Sequence, residues 1–188
     1  MPLHIALIEP QIPPNTGNIA RLCAATDTSL HLIEPVGFSL DDASLRRAGL
    51  DYWDAVDLWV HPHWRAFRDA MDRERCLYFS AKGSRSYWEA PYRPNSCLIF
   101  GNETEGMPER ILEKYPDRCY RIPMTGPVRS LNLATAVGIV LYEALRRTGW
   151  SEPGLNGGTP SRRPAELPAG AGVAGEPARR RPRRGRHG

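Results

Sequence analysis

The chain has 188 residues, 25 Lys+Arg against 21 Asp+Glu and a net charge of +4, a length that fits one domain and a tail. The charge is unevenly placed. Residues 151–188 hold eight arginines and three glutamates, whereas residues 1–150 hold seventeen basic and eighteen acidic side chains. A nucleic-acid role therefore cannot be argued from the bulk charge of residues 1–150, where any basic surface must be local, and no apolar run is long enough to mark a membrane span.

The first ten residues lack a basic n-region and a cleavage site, so they read as a first strand and not as a signal peptide. That strand covers 4–8. A helix over 16–26 follows Pro13-Pro14-Asn15, then a strand at 30–33. Ser39 is a plausible N-cap for a helix running to 47. A strand at 55–60 and a helix over 62–71 come next, then compact strands at 76–80 and 97–100. A helix over 108–115 carries proline in its first turn. A strand at 120–122 precedes the last helix, 131–148, where Leu133, Val137, Val140, Leu141 and Leu145 form one core-facing stripe.

Such strand–helix alternation predicts an α/β domain over residues 1–150, with a mostly parallel sheet and helices on both faces. Residues 151–188 are rich in Pro, Gly, Ala and Arg. They cannot bury enough apolar surface to offset their ordering entropy, and a disordered tail is expected. Its arginines between 179 and 186 suit either a plain solvated extension or non-specific RNA affinity. Cys23, Cys76, Cys97 and Cys119 form no Cys-x-x-Cys pair and read as reduced core cysteines of a cytoplasmic protein. His61 and His63 flank Pro62 without accompanying Cys, Asp or Glu ligands, so no metal site is expected.

Three polar, glycine-bearing loops fall at the carboxyl ends of predicted strands, where parallel sheets place their ligands. The first is Asn15-Thr-Gly-Asn-Ile-Ala-Arg21. Gly17 permits close backbone approach, and Arg21 is a fixed cation suited to phosphate or carboxylate. The second, Gly101-Asn-Glu-Thr-Glu-Gly106, is neither a dinucleotide fingerprint nor a P-loop. The third runs from Ile122-Pro-Met124 to Arg129-Ser-Leu-Asn-Leu-Ala134. It joins a strand to a helix N-terminus and is dense in hydrogen-bonding groups. Each loop alone is also compatible with an ordinary capping turn or solvated surface. Local basic pairs, Arg46 with Arg47 and Lys82 with Arg85, are candidate RNA contacts.

Together the three loops resemble motifs one, two and three of the SPOUT methyltransferases, the trefoil-knotted RNA methylases that use S-adenosyl-L-methionine. The likeness is strongest to their minimal single-domain branch, which acts on the ribose 2′-hydroxyl of the wobble nucleotide (C34/U34) of tRNA. It extends over Glu9-Pro-Gln-Ile-Pro-Pro-Asn15, Leu32-Ile-Glu-Pro-Val-Gly-Phe38 and Leu45-Arg-Arg-Ala-Gly-Leu-Asp-Tyr52, and stops near Trp150. The resemblance implies a C-terminal trefoil knot and a homodimer whose active site takes motif one across the interface. It implies cofactor contacts at Phe79, Gly101, Ile122, Met124, Ser130 and Leu131, and catalytic roles for Arg21, Asn15, Ser130 and Asn132. Glu103 matches the motif-two acid. Arg129 and Tyr142 join Arg46 and Lys82 as RNA-binding candidates, although a core tyrosine would equally suit position 142. A guanidinium is protonated at working pH, so Arg21 suits anchoring a phosphate and stabilising a developing oxyanion.

The second loop departs from the wobble-specific branch, which commonly carries proline at the position of Asn102 and a basic residue at that of Glu105. A 2′-O-methylase for another tRNA or rRNA site is therefore a competing reading. A non-catalytic knotted RNA-binding protein is another, and an ordinary nucleotide-binding α/β protein a third.

Overall fold

A computed structural model describes residues 2–39, 55–149 and the backbone of Ala178–Arg179. The helix expected to end at residue 47, Arg46 with it, the 45–52 stretch and the rest of the tail lie outside the described residues.

Among the described residues eight strands form one sheet. They are β1 (His4–Ile8), β2 (Ser29–Ile33), β3 (Leu58–His61), β4 (Cys76–Phe79), β5 (Arg85–Ser86), β6 (Cys97–Phe100), β7 (Cys119–Arg121) and β8 (Ala178–Arg179). Their spatial order is β5-β7-β4-β6-β1-β2-β3-β8. Every pairing is parallel except that of β8, which lies antiparallel on β3. The helices are α1 (Pro13–Thr26), α2 (Trp64–Ala70), α3 (Glu109–Lys114) and α4 (Leu133–Arg147).

Alternate strand residues point to opposite faces, and both faces are covered. Ile5, Leu7, Leu30, Leu32, Leu98 and Phe100 pack with Ile19 of α1 and with Val137, Val140 and Leu141 of α4. Ala6, Ile8, Ile33, Tyr78 and Ile99 pack with Phe67 of α2 and Ile111 of α3. Burial on both faces explains why these strands are mostly apolar instead of alternating.

The observed ends differ from the sequence expectation where caps decide them. Helix α1 starts at Pro13, three residues early, because two prolines occupy its first turn, where their missing N–H groups would find no helical partner. Helix α4 starts at Leu133, because the Asn132 side chain accepts hydrogen bonds from the N–H groups of Ala134 and Thr135 at 2.9 and 3.2 Å. Helix α2 starts at Trp64, with His63 Nδ1 accepting from Ala66 N. β5 is not among the expected strands, since two residues carry no periodicity.

β7 lies between β4 and β5, yet β4 and β5 are joined by only residues 80–84. That link crosses against the β7 backbone. Ser80 N donates to Tyr120 O at 2.9 Å, and a Cβ on Gly83 would stand 2.5 Å from the Tyr120 carbonyl carbon. Only glycine permits so close a crossing.

His61 has a different fate from that of its neighbour His63. His4, His31 and His61 come from adjacent strands, are buried, and form a chain with ring nitrogens 3.0 Å apart at each step. His61 Nδ1 is buried without a partner. An orphaned N–H is costlier than an unused lone pair, so the protons run from His61 Nε2 to His31 Nδ1 and from His31 Nε2 to His4 Nδ1. Burial holds all three rings in the neutral form, with His4 and His61 lowered to about 4 and His31 lowered well below the usual histidine value, by its burial first and by the two rings beside it next.

Candidate active site

From β1 the chain moves outward one way through β2 and β3, while β6, β4 and β7 lie on the other side. The switch falls between β1 and β6, where parallel sheets open a crevice. The carboxyl ends of β1, β6, β4 and β7 enclose a cleft of about 620 Å³, within the range of small-molecule and cofactor sites.

A chain of hydrogen bonds ties the three polar loops together around this cleft. The Glu103 carboxylate accepts from Gln11 N at 2.8 Å, from Ile12 N at 3.1 Å and from Asn15 Nδ2 at 3.1 Å. Asn15 Oδ1 accepts from Asn132 Nδ2 at 2.9 Å. Asn132 Oδ1 in turn caps α4. A carboxylate thus sits at the positive end of α1, and the two asparagines are fixed at both ends of their amides.

The second loop is rigid for its own reasons. Asn102 Oδ1 accepts from the N–H groups of Thr104, Glu105 and Gly106 at 3.2, 2.7 and 3.3 Å. Gly106 adopts a φ of +74°, which glycine takes without strain. A Cβ on Gly101 would stand 2.1 Å from the Gly106 carbonyl carbon, so the two ends of this turn touch backbone to backbone.

The cleft wall combines apolar surface with polar edges. Phe79, Phe100, Ile122, Met124, Leu131 and Leu133 supply the former. Asn15, Asn132, Ser130, Lys82 and Arg129 supply the latter, beside the Gly101–Gly106 backbone. All six residues expected at a cofactor therefore meet in one cavity, and three of the four catalytic candidates stand at it. Lys82 also pairs with Glu109 at 2.6 Å across the cleft rim.

Two candidates lie elsewhere. Arg21 is an exposed residue of α1 and does not line the cleft of its own chain. Tyr142 is 52% exposed on α4, so it is not a core tyrosine. Ile12, Met107 and Ala136 also line the cleft, and the sequence gives no sign of it, because apolar residues at helix starts carry no chemical signal. Glu103 holds the first loop, a role that only the fold discloses. All four cysteines are free and buried. Burial raises every thiol, Cys119 to about 11 and Cys76 to about 12, so none offers a thiolate nucleophile near neutral pH.

An apolar cleft rimmed by amide, hydroxyl and cationic groups, at the switch point of a parallel sheet, defines an α/β domain with a cleft of nucleoside size. The chain belongs to the SpoU rRNA Methylase family, whose model matches residues 2–142. It is 47% identical over 149 residues to the tRNA (cytidine(34)-2′-O)-methyltransferase of Escherichia coli (strain K12), covering 79% of this chain and 95% of that one. A solved structure concerned with 2′-OH methylation of C/U34 on tRNA is 49% identical, with a TM-score of 0.70 over 77% of this chain and 95% of that one. The AdoMet-bound rRNA methyltransferase of Sinorhizobium meliloti is 27% identical, with a TM-score of 0.66 over 78% of this chain and 56% of that one.

Proposed function

We propose that this chain transfers a methyl group to the ribose 2′-hydroxyl of the wobble nucleotide, C34 or U34, of tRNA, with S-adenosyl-L-methionine as donor. The observation that carries this reading is the Glu103–Asn15–Asn132 chain, which gathers all three motif loops around one nucleoside-sized cleft. The relatives named for the same reaction, at 47–49% identity, support the substrate.

The residues fit the donor. Apolar walls at Phe79, Ile122, Met124 and Leu131 suit an adenine, and the backbone contact between Gly101 and Gly106 holds the second loop closed beside them. Ser130 and the third-loop backbone would hold its ribose, and Lys82 is a cation at the rim. The bound donor supplies a methyl on a sulfonium, already equipped with its leaving group. The protein's task is then mainly positioning and charge stabilisation. Asn15 and Asn132 are held rigid and orient the acceptor ribose. Arg129 takes a neighbouring phosphate. Arg21 stabilises the oxyanion that develops as the 2′-hydroxyl loses its proton.

Arg21 stands away from its own cleft, which is the placement a shared site requires. The protein is accordingly a homodimer in which each cleft receives the partner's Arg21. The exposed Ile12, Val128 and Tyr142 offer apolar surface for that contact. The link over residues 80–84, laid tightly across β7, is the crossing that a trefoil knot would close. Four reduced thiols suit the cytoplasm, where tRNA is found. Among the described residues no helix is long and apolar enough to cross a membrane.

The chemistry is tested by incubating the protein with methyl-labelled donor and bulk tRNA. Label should enter RNA and leave the adjoining phosphodiester resistant to alkali, because a methylated 2′-oxygen cannot attack it. Transfer to a base, with no alkali-resistant bond, would overturn the 2′-O reading.

A further inference from the structure

We infer that Trp88 is a stacking platform for an unpaired base of the RNA substrate, outside the motif loops; the inference rests on the function proposed above.

Among the described residues four large apolar side chains are exposed. Ile12 and Val128 belong to the motif loops and Tyr142 to α4. Trp88 alone belongs to the opposite sheet edge, and it is 55% exposed. Its placement is built. Ser86 and Glu89 form a reciprocal capping box around the turn Tyr87–Glu89. Trp88 N donates to Ser86 Oγ at 3.3 Å and Ser86 N to Glu89 Oε1 at 3.1 Å. Tyr92 Oη donates to Tyr87 O at 2.8 Å and pins the turn from behind. An indole projected into water by so braced a turn offers a flat face at low ordering cost.

The surroundings match RNA. Lys82 of the cleft rim is six residues away along the chain, so at most about 22 Å separates its Cα from that of Trp88. β5 pairs Ser86 with Arg121, the residue before cleft-lining Ile122. Arg85, Arg93 and Arg121 are exposed along this stretch. Of these, Arg85 pairs with Glu89. Cations beside an exposed aromatic are the pattern that binds single-stranded nucleic acid, bases stacking while phosphates are neutralised. A wobble nucleotide sits in such an unpaired loop.

The test compares the parent protein with Trp88→Ala, Trp88→Phe and Arg121→Ala. Binding of an anticodon stem-loop RNA and of a blunt RNA duplex is measured by anisotropy, alongside methyl transfer, donor affinity and oligomeric state. Trp88→Ala should weaken stem-loop binding and raise KM about tenfold, leaving kcat, donor affinity, oligomeric state and duplex binding unchanged. Trp88→Phe should restore most of the affinity. Arg121→Ala removes one phosphate-neutralising cation and should make the logarithmic salt dependence of binding shallower by about 0.7. Unchanged stem-loop binding in Trp88→Ala would overturn the inference. So would loss of the dimer, which would make the indole a subunit contact, or equal weakening of duplex binding. If the parent binds the stem-loop but transfers no methyl, the proposed function falls while the Trp88 comparison still reads from binding. If the parent binds no RNA, both fall.

Discussion

Asn132 Nδ2 donates a 2.9 Å hydrogen bond to Asn15 Oδ1, joining the cap of the last helix to the first turn of the first. The same Asn132 side chain caps α4 through its Oδ1, so one amide serves structure and site through different atoms. Substitution separates the two. Asn132→Asp keeps the acceptor and should retain the melting temperature within a few degrees while methyl transfer falls at least tenfold. Asn132→Ala should lose both, with about 1 kcal/mol of stability gone with the cap. Thermal unfolding and initial rates on the two variants check this.

Glu103 braces the first loop through two backbone N–H groups and Asn15. Glu103→Ala leaves three donors without their carboxylate. Hydrogen bonds to a charged acceptor are worth about 2 kcal/mol in such settings, and the partial exposure of Glu103 discounts that figure toward about 1 kcal/mol. Urea unfolding should register this drop, with a larger relative decrease in kcat than in donor affinity.

The loops are legible in the sequence because glycine, proline and clustered polar side chains at strand ends leave a local signature. Pro13-Pro14-Asn15, Gly101 to Gly106 and Ser130 to Asn132 all announce turns. Their mutual contacts are not legible, since Asn15 and Glu103 are 88 residues apart and Glu103 alone looks like any turn carboxylate. The histidine chain is hidden for a similar reason. His4, His31 and His61 each read as one polar residue in or beside an apolar strand, and only the β1-β2-β3 order stacks them. Arg21 is placed at the site by motif and by the fold away from its own cleft, a gap that the proposed second chain would close.

That histidine chain gives a pH dependence. The folded rings stay neutral down to about pH 4, whereas unfolded histidines take up protons near 6.5. Between those values the unfolded chain binds more protons, so stability falls as pH falls. The denaturation midpoint should be flat above pH 7, drop from 6.5 to 4 with His4, His31 and His61 as contributors, and lose about a third of that extra slope in His31→Leu. Carboxylates add their own slope lower down.

Gly101→Ala forces a Cβ onto the Gly106 carbonyl. The second loop must open, and donor affinity should drop more than tenfold by calorimetry. Gly126→Ala meets nothing within 4 Å and should leave binding unchanged, which controls for general loop effects.

Arg21→Ala should abolish transfer while donor affinity stays within a few-fold. If the site is shared, co-expressing Arg21→Ala with Asn132→Ala chains rebuilds one intact site in each mixed dimer. About a quarter of parent activity should return in a statistical mixture. No recovery despite mixed dimers would show Arg21 acting in its own chain.

The wobble assignment is tested most sharply by position. The protein is incubated with labelled S-adenosyl-L-methionine and unmodified tRNA, and the product is digested and mapped. A single 2′-O-methyl nucleotide is expected, at C34 or U34. Label at another nucleotide would contradict the substrate, and no transfer to any RNA would contradict the reaction itself.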